Sequence, residues 1–515
     1  MNFRPVITAL WCAALGLALQ APVAAPARAG EAGFVVQGVT LYDKTELLHF
    51  AHQHVQASDG VVSTARLAEA IELVYREDGY FLAEATVTPG TNGNTHVVVD
   101  EGRIDLVTVE GVDEKVHARI ERYVQAIVGR DGVTQAEFER VLMLVNDLAG
   151  VTAVTGFDYP DPNAGAHLKI TARQTNQAGS LVLDNPPREF GKAVSLYGTQ
   201  EFYSVFTGGD LLRLQGGFTW HFAGNGKGHS LSGNAYYRTP LGPKGAYGEL
   251  YGGNVVGRRD ASGKYVATEL TGYELGGVIG YPVLRDIHDY RYGLLEARHS
   301  AVDSSGKGVA FRSAVNAISA LALAGHDDDD GAPSRFGLVA TAGWRRGAIP
   351  LGEDDGDDSF WHLRASYGTA QPLPAVHHDL SYRFEINGQY SPYRLPSVEE
   401  FYLGGKTSLR GYRFAEASGD SGIAGIFELR HSWAEGAGPF SSLSVHAFFD
   451  AGHVVNNSPG KAETKRVTLA SAGLGFRASF ANSVTSIGHV GIPLVDGPFT
   501  RRFRPGFYLG VAKQW

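Results

Sequence analysis

The sequence predicts two α+β modules in tandem followed by an all-β barrel that crosses a membrane. Three observations carry this reading. The N-terminus has the layout of an export signal; the order strand, helix, helix, strand, strand occurs twice in succession; and beyond about Gln174 helical periodicity gives way to strand-length runs separated by polar, glycine-rich connections.

Composition agrees. The chain of 515 residues carries 66 Gly, 23 Tyr and 26 Phe, only 19% charged residues, and a mean hydropathy near zero. That mixture suits β-structure with both wet and apolar surfaces. The net charge of −9 offers no basic field for a polyanion, which argues against nucleic acid as a partner.

Residues 1–29 combine an early Arg4, an apolar run from Val6 to Leu19 and small residues ending in Ala27-Arg28-Ala29, so they read as a secretory signal peptide cleaved after about Ala29. The single cysteine, Cys12, lies inside it and follows Trp11, unlike a lipoprotein signal, so the exported chain is expected to contain none. No later apolar run reaches the 18 residues a membrane-spanning helix requires.

The first module is expected over 33–103. "FVVQGVTL" reads as a strand and "KTELLHFAHQHV" as a helix. In "STARLAEAIELVYREDGY" Leu67, Ile71, Val74 and Tyr75 recur on one helical face, Ser63 stands at the N-cap, and Val62 with Leu67 can form a hydrophobic staple. "YFLAEATVTP" and "THVVVDEG" follow as a strand pair. The second module, 104–173, repeats the order. "RIDLVTVEGV" is a strand, and "EKVHARIERYVQAIV" is a helix with Val116, Ile120, Val124 and Ile127 on one side. In the next helix Thr134 and Glu137 match a capping box, with Val133 and Phe138 at the staple positions. "VTAVTGFDYP" and "AHLKITAR" close the unit. A repeat of about 70 residues is the mark of a tandem array.

Residues 174–515 supply the barrel strands, among them "LLRLQGGFTWHF", "RYGLLEARHS", "RFGLVATAGWRRG", "FWHLRASYGTA", "LSYRFEINGQYSP", "GIFELRHSW", "LSVHAFFDAGHV" and "FYLGVAKQW". A membrane barrel needs one face of each strand toward lipid, the other toward the lumen, and every backbone group paired with a neighbour. Its length accommodates sixteen antiparallel strands at roughly 21 residues per strand and connection, although sequence alone does not fix the count. Phe507, Leu509, Val511 and the terminal Trp515 share one face of the last strand, interrupted by Lys513, as in outer-membrane proteins whose C-terminal strand is read by the barrel assembly machinery. A soluble β-sandwich or propeller ending by chance on Trp does not account for the leader, the cysteine usage and the terminal strand together.

"LGGKTSLRGYRF" lies between strand-like segments, and so in a loop. A charge is cheap in a wet lumen and costly in lipid, so if the loop folds inward Arg410 needs a carboxylate. Asp450 in "FFDAG" is the first candidate and Glu428 in "FELR" the second; a guanidinium pairs with a carboxylate through two parallel hydrogen bonds. The alternative is that Arg410 is an exposed turn residue and Asp450 an acid at a strand end.

Together, "LRGY", "ELR" and "FFDAG" in this order resemble the loop and strand motifs of the outer-membrane assembly-factor superfamily, and within it the transporters of two-partner secretion, the haemolysin-activator type. "VYREDGYFLAEATVTP" with Tyr75, Gly79 and Tyr80, the "DEG" at Asp100–Gly102, "LMLVNDLAGV", "LVLDNPPREFGKAVSLYG" and "TGGDLLRL" extend the similarity over most of the chain. The resemblance implies two periplasmic POTRA domains, a sixteen-stranded barrel in the outer membrane of a Gram-negative bacterium, and a loop tip of Leu409, Arg410, Gly411 and Tyr412 reaching back into the pore toward Asp450. It also implies a secreted exoprotein as client and outer-membrane lipid around the barrel; no cofactor and no enzymatic activity are expected, since the catalytic motifs named below are missing. The rival within the superfamily is an insertase of other barrels, which usually carries more POTRA domains; a passive porin needs no tandem modules. Two departures stand out. Few residues separate Ala29 from the strand at Phe34, so either a plug helix is absent or cleavage falls elsewhere, and Pro89-Gly90 replaces the Pro-Gln usual in the family.

Other candidates read as ordinary surface. His49, His52 and His54 do not share one helical face, so no metal site is expected there. The acidic runs "HDDDDG" (326–331) and "EDDGDD" (353–358) lack the spacing of a calcium loop and read as solvated extracellular loops. There is no G-x-S-x-G, H-E-x-x-H or phosphate-binding glycine loop.

Overall fold

In the computed structural model, the described residues run from 34 to 515, apart from 57–62, 91–93, 160–163, 224–226, 261–266, 307–308, 329–331, 347–356, 434–439 and 460–463. The proposed signal peptide, Cys12 and the staple residue Val62 lie outside them. The chain divides into two units: residues up to Glu77 together with Ala83–Glu101, and Asp78–Leu82 together with Gly102–Trp515.

The first unit has the order β1 (Phe34–Gln37), α1 (Lys44–Gln56), α2 (Thr64–Glu77), β2 (Glu84–Pro89), β3 (Thr95–Asp100). Its sheet runs β1-β3-β2, with β1 parallel and β2 antiparallel to β3. The apolar stripe of α2 explains the packing: Leu67, Ile71 and Tyr75 are buried with Leu47 of α1 and Val97 and Val99 of β3. Ser63 caps α2, its Oγ accepting from Arg66 N at 3.3 Å. Glu101 is buried and accepts from Thr40 N at 2.7 Å, Leu41 N at 2.8 Å, the Tyr75 hydroxyl at 2.8 Å and the Thr40 hydroxyl. Burial pushes its carboxyl up, but these donors outweigh that and hold it below the usual Glu range.

The second unit opens with the same arrangement: β4 (Ile104–Glu110), α3 (Glu114–Val124), α4 (Gln135–Asn146), β5 (Val151–Asp158), β6 (Ala166–Gln174), in sheet order β4-β6-β5. Val116, Ile120, Val124 and Ile127 are all buried in one core with Val141, Leu144 and Leu168. The capping box forms, Thr134 Oγ1 accepting from Glu137 N while Glu137 Oε2 accepts from Thr134 N. Asp78–Leu82, which the sequence places inside the first module, packs in this unit: Gly79 O accepts from Gln135 N at 2.8 Å and Phe81 meets Phe138 and Phe157.

Among the described residues sixteen strands then close an antiparallel barrel, the last (Gly506–Gln514) pairing with the first (Gln177–Asp184). Their two faces differ as a membrane barrel demands. Along Phe440–Val455, Val445 and Phe449 are exposed, while His446, Phe448 and Asp450 point into the lumen. Leu250, Ile279, Leu295 and Leu474 stand outward on other strands, each more than three-fifths exposed. Phe507, Leu509, Val511 and Trp515 belong to the same outward set, as does Lys513.

Module-side turns fix the barrel's orientation. Arg285, beside the turn 286–288, forms a bidentate pair with Asp147, and Gly209 O accepts from Ala149 N at 3.3 Å. Asp327 N donates to His288 O at 2.8 Å, so the described part of the acidic run, His326–Asp328, sits at the module end and not, as expected, at the far end. The reason is parity: the run follows an even number of strands. The described residues of the second run, Asp357 and Asp358, follow an odd number of strands and are at the far end, where they accept from Arg394 N and Arg345.

Candidate functional site

The connection between the strands Leu380–Tyr390 and Ser421–Trp433 folds back into the lumen. Its two arms pair over Phe401–Leu403 and Ala417–Gly419, which turns a long loop into a stiff hairpin-like rod. At its tip Leu409 and Tyr412 are fully buried against Leu403, Ala424, Val454 and Leu469.

Arg410 is enclosed between the tip and the wall. Its Nε donates to Asp450 Oδ2 at 2.9 Å and its Nη2 to Oδ1 at 2.6 Å, and its own backbone N–H donates to Oδ2 at 2.9 Å. The remaining Nη1 donates to Glu428, and the guanidinium lies 3.7 Å from the ring centroid of Phe448. Both carboxylates named from the sequence therefore meet the same arginine. Glu428 also accepts from Arg430 at 3.1 Å. Fork-on-fork pairing between two buried groups fixes orientation as well as position.

Gly411 carries a φ of +93°, and a side chain there would start 2.6 Å from the carbonyl oxygen of Gly491. Only glycine fits both the backbone and the approach. Tyr412 turns inward, its hydroxyl 2.9 Å from Ala470 O and 2.7 Å from Val495 O.

Several contacts escaped sequence reasoning. Glu399, at the base of the loop, is fully buried, accepts from Arg298 Nη2 at 2.7 Å and lies 3.0 Å from His362 Nε2. Glu416 accepts from the backbone N–H groups of Phe499 and Thr500 and from the Thr500 hydroxyl. Asp420 accepts from Leu395 N and Asn457 N. Glu399 was visible in "SVEEFYL" as one acid among many; nothing in its spacing distinguishes a carboxylate that will be buried. The loop is thus anchored by charges of both signs: its acid Glu399 on a basic wall, its base Arg410 on an acidic one.

The histidines of α1 behave as helix surface: His52 Nδ1 bonds Leu48 O and His49 bonds Gln53, while the side chain of His54 lies outside the described residues. Among the described residues one grouping, His377, His378 and Asp379 in a module-end turn, brings ligand-type atoms within 4.8 Å of one another; the sequence did not single it out.

Residues 332–478, which include Arg410, Glu428 and Asp450, match the family model of the haemolysin secretion/activation protein ShlB/FhaC/HecB. Similar folds are CdiB from Escherichia coli, at 19% identity over 94% of this chain and 90% of that one with a TM-score of 0.75, and CdiB from Acinetobacter baumannii, at 15% identity over 94% and 90% with a TM-score of 0.66. BamA from Haemophilus ducreyi lacking POTRA domains 1–3 aligns over 92% of this chain and 98% of that one, at 15% identity and a TM-score of 0.54. No curated protein matches the sequence. The family match falls on the very strands that grip the loop, so over these residues the chain resembles the haemolysin secretion/activation proteins, and with its two POTRA modules it shares the fold of the CdiB and BamA outer-membrane barrels.

Proposed function

We propose that the protein captures one unfolded exoprotein in the periplasm and passes it through the barrel to the cell surface. The observation that carries this reading is a lumen occupied by a loop held through reversible ion pairs, Arg410 on Asp450 and Glu428. Such an element has two stable positions, seated and withdrawn, and a client can bias the choice.

The POTRA modules supply the capture surface. Among the described residues the outer strands of each three-stranded sheet, β1 and β2 or β4 and β5, have one partner strand apiece, and although Val128 takes the start of β4 and the Asn146 side chain takes Ala153 of β5, the rest of each edge can be joined by an extended client through main-chain hydrogen bonds. No nucleotide or membrane potential acts at this membrane, so folding of the client outside drives net movement. Residues 1–29 direct export and are removed; the barrel assembly machinery reads the outward face of Phe507, Leu509, Val511 and Trp515; and the same apolar exterior meets lipid.

Secretion of the cognate exoprotein by cells carrying Arg410→Ala, with barrel folding followed by heat-modifiable gel mobility, tests the reading. Lost secretion from an intact barrel is the expected result. Normal secretion would make Arg410 a turn residue, and growth arrest on deletion of the chain would favour an insertase.

A further inference from the structure

The two ends of the barrel wall meet along a short ladder. The last strand pairs with the first over Gly510–Gln514 and Ser180–Asp184, and at the module end Trp515 and Gly179 exchange two more backbone bonds at 3.1 and 3.0 Å, whereas toward the far end it pairs with its other neighbour on to Gly506. The cause is in the sequence: Asp184-Asn185 is followed by Pro186-Pro187, which bring no N–H groups, so the ladder cannot continue toward the far end. What replaces it is one residue, whose backbone N–H donates to Leu509 O at 3.4 Å and whose side chain does the rest. Asn185 Oδ1 accepts from Leu509 N at 2.8 Å and its Nδ2 donates to Phe507 O at 3.0 Å.

The loop tip lies across this gap. Lys406 Nζ donates to Asp184 Oδ2 at 2.6 Å, and Asp184, nearly fully buried, also accepts from the Tyr508 hydroxyl of the last strand at 2.9 Å. The Lys406 ammonium stands 5.5 Å from the ring centroids of both Tyr197 and Tyr508. On the other side of the tip, Arg188 Nη1 donates to Gly411 O at 2.7 Å and to Arg504 O at 2.8 Å. The Gly411 backbone itself rests on Gly491 and Gly506, where added Cβ atoms would approach it to 2.5 and 3.1 Å. One loop segment therefore touches the first barrel hairpin by two cations and the last two strands by bare backbone.

We propose that the loop tip is a clip over the far half of the barrel seam, with Lys406 and Arg188 as its fastenings on the first hairpin. With the tip in place the seam is closed by ladder, Asn185 and clip together. With the tip withdrawn, the far half keeps Asn185, the Tyr508 hydroxyl on Asp184 and the Arg188 bond to Arg504 O, and loses every tie that runs through the loop. Resting on the transport reading, this makes loop withdrawal and loosening of the wall one event, so a client that displaces the tip also widens the passage it is about to use. Arg410 fastens the loop to strands on the opposite side of the tip and does not by itself reach the seam, which makes Lys406 a separate positioning residue.

Hydrogen exchange followed by mass spectrometry on the full-length protein in lipid nanodiscs tests the clip. Lys406→Met is expected to speed exchange in peptides covering 180–187 and 505–511 by roughly tenfold, the size of effect that losing one charge-assisted hydrogen bond produces. Peptides covering 289–306 and 359–372 keep their protection. Asp184→Asn gives the same local pattern, and the double variant is no faster than Asp184→Asn alone. Unchanged seam peptides, or acceleration spread evenly over all strands, overturn the clip. Should Lys406→Met fail to yield a heat-modifiable barrel, Arg188→Met, which removes only the tie to Gly411 and Arg504 carbonyls, is read by the same criteria. The readout needs no client: a seam that loosens in a chain that secretes nothing sinks the transport reading alone, and an unmoved seam in a secreting chain sinks the clip alone.

Discussion

Arg410 meets Asp450 through both oxygens of the carboxylate, at 2.9 and 2.6 Å, and adds its own backbone N–H to the same group. Three donors from one residue on one acid make the position of the loop tip depend on the charge of Asp450. Asp450→Asn keeps the shape but offers one acceptor oxygen where three donors point, and breaking a buried pair of this kind costs about 3–5 kcal/mol. The expected outcome is a withdrawn loop in an otherwise folded barrel, seen as a higher mean conductance in planar bilayers and as lost secretion. Glu428→Gln should do much less, because Arg410 spends a single nitrogen on it. Equal effects from the two variants would mean that the fork geometry has no special weight.

The loop base offers a second, opposite anchor. Removing the charge in Glu399→Gln leaves Arg298 and the neighbouring His362 facing a neutral amide in a fully buried site. If tip and base are independent, the effects of Glu399→Gln and Asp450→Asn on the free energy of loop seating add to within about 0.5 kcal/mol. A loop that moves as one rod, as the Phe401–Leu403 and Ala417–Gly419 pairing indicates, gives a double variant little worse than the more severe single. Conductance histograms of the three variants separate these outcomes.

What the sequence could show follows from where its information is local. The modules were legible because a helix in solvent writes its buried stripe at fixed spacing: Val116, Ile120, Val124 and Ile127 all proved buried, and the Thr134–Glu137 box formed. The barrel was legible as a kind of structure and not strand by strand. Segments such as Gly228–Leu241 and Ala246–Arg259 are rich in Gly, Tyr and Ser, and a lumen full of water does not demand polar residues at every inward position, so alternation is weak. Arg410, Glu428 and Asp450 were found because their motifs are distinctive. Glu399, Glu416 and Lys406 were not, since each acquires its role from partners distant in sequence, among them Arg298, Thr500 and Asp184 at 80 or more residues.

The first module carries a pH dependence of its own. Burial raises the Glu101 carboxyl, but the Thr40 hydroxyl, the Leu41 and Thr40 backbone N–H groups and the Tyr75 hydroxyl lower it further, leaving the folded-state pKa below the unfolded value of about 4.3. A depressed acid stabilises the fold fully above the unfolded pKa and loses that contribution as pH falls through the folded one. Scanning calorimetry of the full chain in detergent should therefore show the module's transition falling below pH 5, toward that of Glu101→Gln, which is itself lower at pH 7 and flatter with pH. A wild-type transition that holds steady from pH 7 to 3 would remove Glu101 as the clamp between α2 and the segment after β1.

Tyr412 separates packing from hydrogen bonding at the tip. Its ring is fully buried with Leu403, Leu409 and Val454, while its hydroxyl lies between the carbonyls of Ala470 and Val495. Ala470 O already accepts from Leu494 N at 2.8 Å, so Tyr412→Phe strands at most one carbonyl and should cost about 1 kcal/mol. Tyr412→Ala empties the ring's volume beneath the Arg410 fork, at a cost of about 3–5 kcal/mol. Secretion and resting conductance should accordingly stay near normal for Phe and collapse toward the Asp450→Asn phenotype for Ala. If Phe proves as damaging as Ala, the hydroxyl and not the ring holds the tip, and the loop is seated chiefly by polar contacts to the wall.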